Sequence, residues 1–162
     1  MNLRPYQPED LLAVVRLFHE TVHQVNQADY TEEQLEAWAP ATPDLRRWQD
    51  KLGAEEAVVA EFEGEIVGFC SWDETGTLDF LYVHHAHQRK GIATALYQAA
   101  ERSLKARSLA RIQTQSSTTA QPFFAHQGFH VVKEQTVMRN GVALPNAVTE
   151  KSMPGGTADT NG

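Results

Sequence analysis

The chain has 162 residues, a formal net charge of −7, 41% hydrophobic residues and 22% charged ones. This suits one soluble globular domain, expected over residues 1–153, and excludes a general nucleic-acid binder, which would need a basic face. Local positive charge must then serve a small anionic ligand. A single cysteine, Cys70, allows no internal disulfide, and no apolar run approaches the roughly 20 residues of a membrane span. The opening MNLRPYQPED carries charge and prolines in place of an apolar signal core, so a cytoplasmic protein with no membrane partner is expected.

MNLRPY reads as a first strand. Pro8, Glu9 and Asp10 then open a helix whose Leu11, Val14, Val15, Phe18, Val22 and Val25 recur at helical spacing. DYTEEQLEAWAP begins with a capping box on Thr31 and stops at Pro40, and TPDLRRWQDKLG makes a further short helix ending at Gly53. From Glu56 the period changes to 2, with three antiparallel strands joined at EGE and ETG. GIATALYQAAERSLKAR is the strongest helix, LARIQTQS a strand, and TAQPFFAHQG a short helix closed by Gly128. Two last strands flank Asn140-Gly141, the best hairpin signal in the chain. The tail 154–162 reads as disordered. Strands and helices in this order require helices on both faces of one mixed sheet.

The segment HQRKGIATAL joins a strand to the strongest helix. Free backbone N–H groups and the positive end of the helix dipole converge there. Gly91 lets an anion approach the backbone, Ala93 keeps the first turn open, and Arg89 and Lys90 add charge. This is a phosphate or pyrophosphate site. It matches neither a Walker loop nor a GxGxxG turn.

Gln88-Arg89-Lys90-Gly91-Ile92-Ala93 resembles the Q/R-x-x-G-x-G/A motif of the GNAT acetyltransferase superfamily. RPYQPEDLLAVVRL, LDFLYVHHAHQRKGIATAL and QPFFAHQGFHVV resemble that family's first strand and helix, its cofactor-binding core, and its last helix and sixth strand. DYTEEQLEAWAP with TAQPFFAHQGF and RNGVALPN is similar to its YafP-like branch. The resemblance implies an α/β (α+β) fold with a mixed, mostly antiparallel sheet of six or seven strands and a cofactor cleft between strands four and five. It implies an enzyme that transfers acetyl from acetyl-CoA directly to a primary amine of a small molecule or peptide in a ternary complex. The alternative is a non-catalytic acyl-CoA-binding sensor. The final strands of such folds often pair between subunits, so a homodimer is an open expectation.

Carried over residue by residue, the resemblance assigns the pyrophosphate to the loop around Gln88, Arg89, Lys90, Gly91, Ile92, Ala93 and Thr94. It assigns the pantetheine arm to the main chain of Leu81, Tyr82 and Val83, as an added strand. Ser117, Ala120, Phe123 and Phe124 match N-x-x-A-x-x-(L/F)-Y of the last helix. Ser117 is equally well placed as a helix cap. Many family members carry at the position of Phe124 a tyrosine that protonates the leaving thiolate; phenylalanine cannot.

Asp79 is the best candidate base and is expected on the strand face of Leu81 and Val83, with a simple ion pair as its other reading. Tyr82 is a second polar candidate on that strand, or a packing residue. His23, Tyr30 and Trp38, on the segment HETVHQVNQADYTEEQLEAWAP, are candidates for an acceptor mouth suited to a cationic amine; Trp38 reads equally as core. The histidines at 84, 85 and 87 lack neighbouring carboxylates or thiols, so no metal is expected.

Overall fold

Strand β1 (Asn2–Pro5) and a short turn at Pro8–Asp10 lead into helix α1 (Leu11–Val25) in the computed structural model, which describes residues 1–154. Arg4 forks onto both carboxylate oxygens of Asp10 at 2.8 and 2.9 Å, and Asp10 also accepts the Gln7 N–H at 2.8 Å. That set fixes the corner where strand becomes helix. Helix α2 (Glu32–Trp38) starts in the expected capping box. Gln34 N–H donates to Thr31 Oγ1 at 3.2 Å, and Thr31 N–H to Gln34 Oε1 at 2.9 Å. Helix α3 (Leu45–Ala54) is capped by Asp44 and runs one residue past the glycine expected to stop it.

Strands β2 (Glu56–Phe62), β3 (Glu65–Trp72) and β4 (Thr77–Val83) form the antiparallel meander. Helix α4 (Ile92–Lys105), β5 (Arg111–Ser117), α5 (Gln121–His126), β6 (His130–Arg139) and β7 (Val142–Ser152) follow. Asn140 and Gly141 turn the last hairpin with φ of +49° and +80°, the double positive φ that a two-residue primed turn requires. Seven strands among the described residues lie in the order β1-β2-β3-β4-β5-β7-β6, antiparallel throughout except for β4–β5. The tail expected from 154 lies, beyond Pro154, outside the described residues. Among the described residues no helix is long and apolar enough to cross a membrane.

Two cores sandwich the sheet. Val14, Phe18, Leu35 and Leu52 of α1–α3 pack over Val59 and Phe69, while Leu96, Tyr97, Leu104 and Phe124 of α4 and α5 cover Val67, Leu78 and Ile112. Helix α4 crosses β3 at Gly68, where an added Cβ would stand 3.0 Å from Leu96 Cδ1 and 3.1 Å from the Tyr82 carbonyl. Gly68→Val is therefore expected to destabilise the fold by about 1–3 kcal/mol through overpacking, measured by urea denaturation.

Two irregularities of β4 make the site. The parallel pairing with β5 consists of Thr77↔Gln113 and Leu78↔Thr114, although β4 runs on to Val83 and β5 to Ser117. Beyond Leu78 the two strands part. The β3–β4 register also shifts, Ser71 facing Phe80 but Trp72 facing Leu78, so Asp79 is an extra residue in the ladder. The bulge breaks the alternation. Leu78, Leu81 and Val83 join the α4 core, Phe80 and Tyr82 the α1–α3 core, and Asp79 meets Lys51 of α3. The expectation that Asp79 shares a face with Leu81 and Val83 is thereby corrected: a bulge, invisible to a period-2 reading, turns it toward α3.

Candidate active site

The parted strands open a cleft of about 880 Å³, walled by β4 from Thr77 to Val83 and by β5 from Thr114 to Ser117. Gln88 and Ala93 line one limb; Tyr30, Trp38, Trp48 and Asp79 line the rest. Among the described residues, no strand lies beside the inner edge of β4 beyond Leu78. An extended chain can be accommodated there as an additional strand.

At the far end of β4 the loop is shaped by its backbone. Gln88 donates its side-chain amide to the Val83 carbonyl, which ties the loop to the strand end. Arg89 and Gly91 take positive φ of +61° and +80°, and Gly91 is the N-cap of α4 without a side chain to satisfy the first-turn donors. A Cβ at Gly91 would meet nothing within 4 Å, so the space over the helix end is open. Arg89, Lys90 and Gly91 are exposed; Ile92 is buried at 4% and anchors the first turn in the core. Thr94 follows half-buried in that turn. These donors, charges and open space fit a pyrophosphate, and the unpaired strand edge fits a pantetheine arm.

The opposite wall comes from β5 and α5. Ser117 lines the cleft and also acts as a cap, its Oγ accepting the Ala120 N–H at 3.1 Å. Both readings of that serine are therefore compatible with its position. Phe123 and Phe124 line the cleft too, and Phe124 is 5% exposed against Phe129. Asn146 of β7 points into the cleft with a buried Oδ1 that accepts no hydrogen bond.

The remaining limb is aromatic with a charged floor. Phe18, Trp48, Phe80 and Tyr82 pack ring to ring, Trp48 stacking on Phe80 at 4.8 Å between centroids. Lys51 Nζ lies 3.0 Å from Asp79 Oδ2 in an ion contact lacking hydrogen-bond alignment, so that oxygen has no hydrogen-bond partner. Behind it stands Glu55, held by Ser71 Oγ at 2.9 Å. Burial, and then the neighbouring Asp79 carboxylate, push the Glu55 carboxyl up to about 7. Burial first, and the nearby Asp79 charge second, raise the Tyr82 phenol above its ordinary range.

Of the acceptor candidates, Tyr30 and Trp38 border the cleft, 5.4 Å apart ring to ring. Tyr30 is also a brace: its hydroxyl donates to the Pro145 carbonyl at 2.6 Å and accepts the Thr118 N–H at 3.0 Å. His23 stands off the cleft, with Nε2 2.8 Å from the Ala39 carbonyl. His19, His23 and Glu36 bring their ligand atoms within 4.8 Å of one another. Since a carbonyl only accepts, His23 Nε2 carries a proton, and its ring ties α1 to the end of α2. Cys70 is fully buried, and burial raises its thiol far above the reactive range.

Sequence reading missed Lys51, Glu55, Trp48 and Phe80. They converge from α3 and β4 only after folding, and GAEEA at the end of α3 carries no local signal.

Comparisons with known proteins agree with this architecture. Residues 26–147 match the Acetyltransferase (GNAT) domain family. The chain is 32% identical over 146 residues to the uncharacterized N-acetyltransferase YafP of Escherichia coli, covering 90% of this chain and 92% of that one. A GCN5-related N-acetyltransferase structure from Rhodopseudomonas palustris superposes with a TM-score of 0.91 at 34% identity, over 94% of this chain and 95% of that one. The protein yncA of Salmonella typhimurium, solved with its cofactor acetyl-CoA, shares the fold with a TM-score of 0.72 at 18% identity, over 98% of this chain and 96% of that one.

Proposed function

Starting from a chain that belongs to the GNAT acetyltransferase family, we propose that it moves acetyl from acetyl-CoA to a primary amine of a small molecule or peptide, by direct transfer with both partners bound together. The observation that carries this reading is a cleft with two chemically different limbs meeting at one bulged strand. One limb offers uncapped helix-end donors at Gly91 and a free strand edge; the other offers aromatic rings and the carboxylate of Asp79.

Acetyl-CoA supplies the acetyl group already activated as a thioester. Backbone N–H groups from Arg89 to Thr94 hold the pyrophosphate, with Arg89 and Lys90 adding charge. Main-chain groups of Leu81, Tyr82 and Val83 receive the pantetheine arm, and Asn146 offers its free carbonyl oxygen from β7. Ser117, Phe123 and Phe124 close the opposite side. Tyr30 and Trp38 border the acceptor, and Asp79 removes the proton that keeps the amine cationic. With phenylalanine at 124, the proton for the departing sulfur falls to Tyr82. Burial and the Asp79 charge keep its phenol protonated, so Tyr82 carries a proton beside the reacting strand.

The test is thermal unfolding with acetyl-CoA, ATP or NAD added separately, followed by thiol release with a panel of primary amines. The expected result is a rise in Tm with acetyl-CoA alone, about 2.7 kcal/mol of stabilisation at a hundredfold excess over Kd, and thiol release with at least one amine. Binding without release on any amine would replace the enzyme by a non-catalytic acyl-CoA sensor. The outer edge of β6, with Val131 and Val132 at 50% and 52% exposure, is where we place the contact of a homodimer. Sedimentation velocity tests it, and a monomer at all concentrations removes it.

A further inference from the structure

An isolated aspartate has an ordinary proton affinity near pH 4 and is a poor match for an ammonium group near pH 10. We propose that Glu55 is the second half of the base, Asp79 facing the acceptor and Glu55 standing behind it, the two carboxyl groups holding and releasing one proton as a pair. This rests on the reading of Asp79 as the base.

The geometry is specific. The bulge turns Asp79 off the α4 face and toward α3, whose C-terminal cap is Glu55. Lys51, four residues before Glu55, reaches Asp79 at 3.0 Å, and Ser71, which faces Phe80 in the β3–β4 ladder, holds Glu55, so both carboxyl groups are gathered at one corner of α3, β3 and β4. Ser71 Oγ donates to Glu55 Oε1 at 2.9 Å and fixes it from β3. Asp79 lines the cleft, and its buried Oδ2, 3.0 Å from Lys51 Nζ, accepts no hydrogen bond. The groups facing the pair are Lys51 from α3, Ser71 from β3 and the Tyr82 phenol from β4. Lys51 supplies one positive charge against two carboxylates, so the doubly ionised pair is left with one net negative charge.

In the step itself an N–H bond of the ammonium breaks and an O–H bond forms on Asp79. The nitrogen keeps its electron pair for attack, and the proton settles between Asp79 and Glu55. It leaves later to water past Lys51, whose side chain is 43% exposed. Because burial and the Asp79 charge lift Glu55 to about 7, the pair takes its proton near neutrality, where a base works best.

The experiment is a carboxyl carbon-13 NMR titration of the unliganded protein, beside the pH dependence of kcat/KM with an amine that the panel identifies. In the parent chain Glu55 is expected to titrate near 7. Asp79→Asn should lower its midpoint by about one pH unit or more, since a neutral amide removes the negative neighbour. Glu55→Gln should move the acidic limb of kcat/KM from about 7 to below roughly 5.5, leaving acetyl-CoA affinity within about twofold. Ser71→Ala removes a donor that favours the Glu55 carboxylate, so it should move the limb upward; this variant keeps the test open if Glu55→Gln fails to fold. A Glu55 midpoint indifferent to Asp79→Asn, or a limb unmoved by either Glu55→Gln or Ser71→Ala while Asp79→Asn is inactive, overturns the pair and leaves Asp79 as a lone base. Full activity of Asp79→Asn removes the base itself.

Discussion

Gly91→Glu is expected to raise the Kd for acetyl-CoA by roughly a hundredfold or more. Two effects add. Gly91 sits at φ +80°, where a side chain costs about 1–2 kcal/mol of backbone strain. A carboxylate about 5 Å from a pyrophosphate charge is unfavourable by about 3 kcal/mol at an effective dielectric of 20. Gly91→Ala separates the two. Its Cβ meets nothing within 4 Å, so it adds strain without blocking the loop, and the affinity loss should stay below about tenfold. Isothermal titration calorimetry on both variants decides it. Tight binding by Gly91→Glu would mean that the pyrophosphate lies elsewhere.

Asp79→Asn is expected to lower kcat about a hundredfold or more while leaving acetyl-CoA affinity within about twofold. A primary amine near pKa 10 is neutral to less than about one part in a hundred at pH 7.5, so losing the base leaves only that fraction reactive. The same arithmetic gives a signature. Raising the pH toward 9–10 should restore much of the lost rate in Asp79→Asn, because the solvent then deprotonates the acceptor. The lesion should be local, since Lys51 keeps a 43% exposed side chain and can turn to water. Unchanged turnover at pH 7.5 would mean that the Lys51 ion pair is the whole role of Asp79.

The elements were largely legible in the sequence because each has a local cause. Thr31 with Gln34, Asp44, and the Asn140-Gly141 pair announce caps and a turn through their own backbone chemistry. The loop at Gly91 was legible for the same reason: a glycine at a helix start is a statement about φ and access. Asp79 was legible as a residue but misplaced in direction, since the bulge between Leu78 and Phe80 arises from pairing with β3, which no single strand encodes. Glu55 was not legible at all. Its proton affinity is raised by burial and by Asp79 against the opposing pull of Ser71 and Lys51, and these three residues come from three separate elements. His23, by contrast, looked like acceptor lining, and its ring is drawn off by a carbonyl sixteen residues along the chain.

The early parting of β4 and β5 has a bearing on the protein's resistance to proteolysis. Two rows of backbone groups stand beside each other without joining, and the two-pair seam at Thr77 and Leu78 is the direct strand link between the halves of the sheet. Whatever fills that gap acts as a missing structural part as well as a reactant. By mass action on the folded state, its binding is expected to lower the rate at which the gap opens to a protease added in vitro.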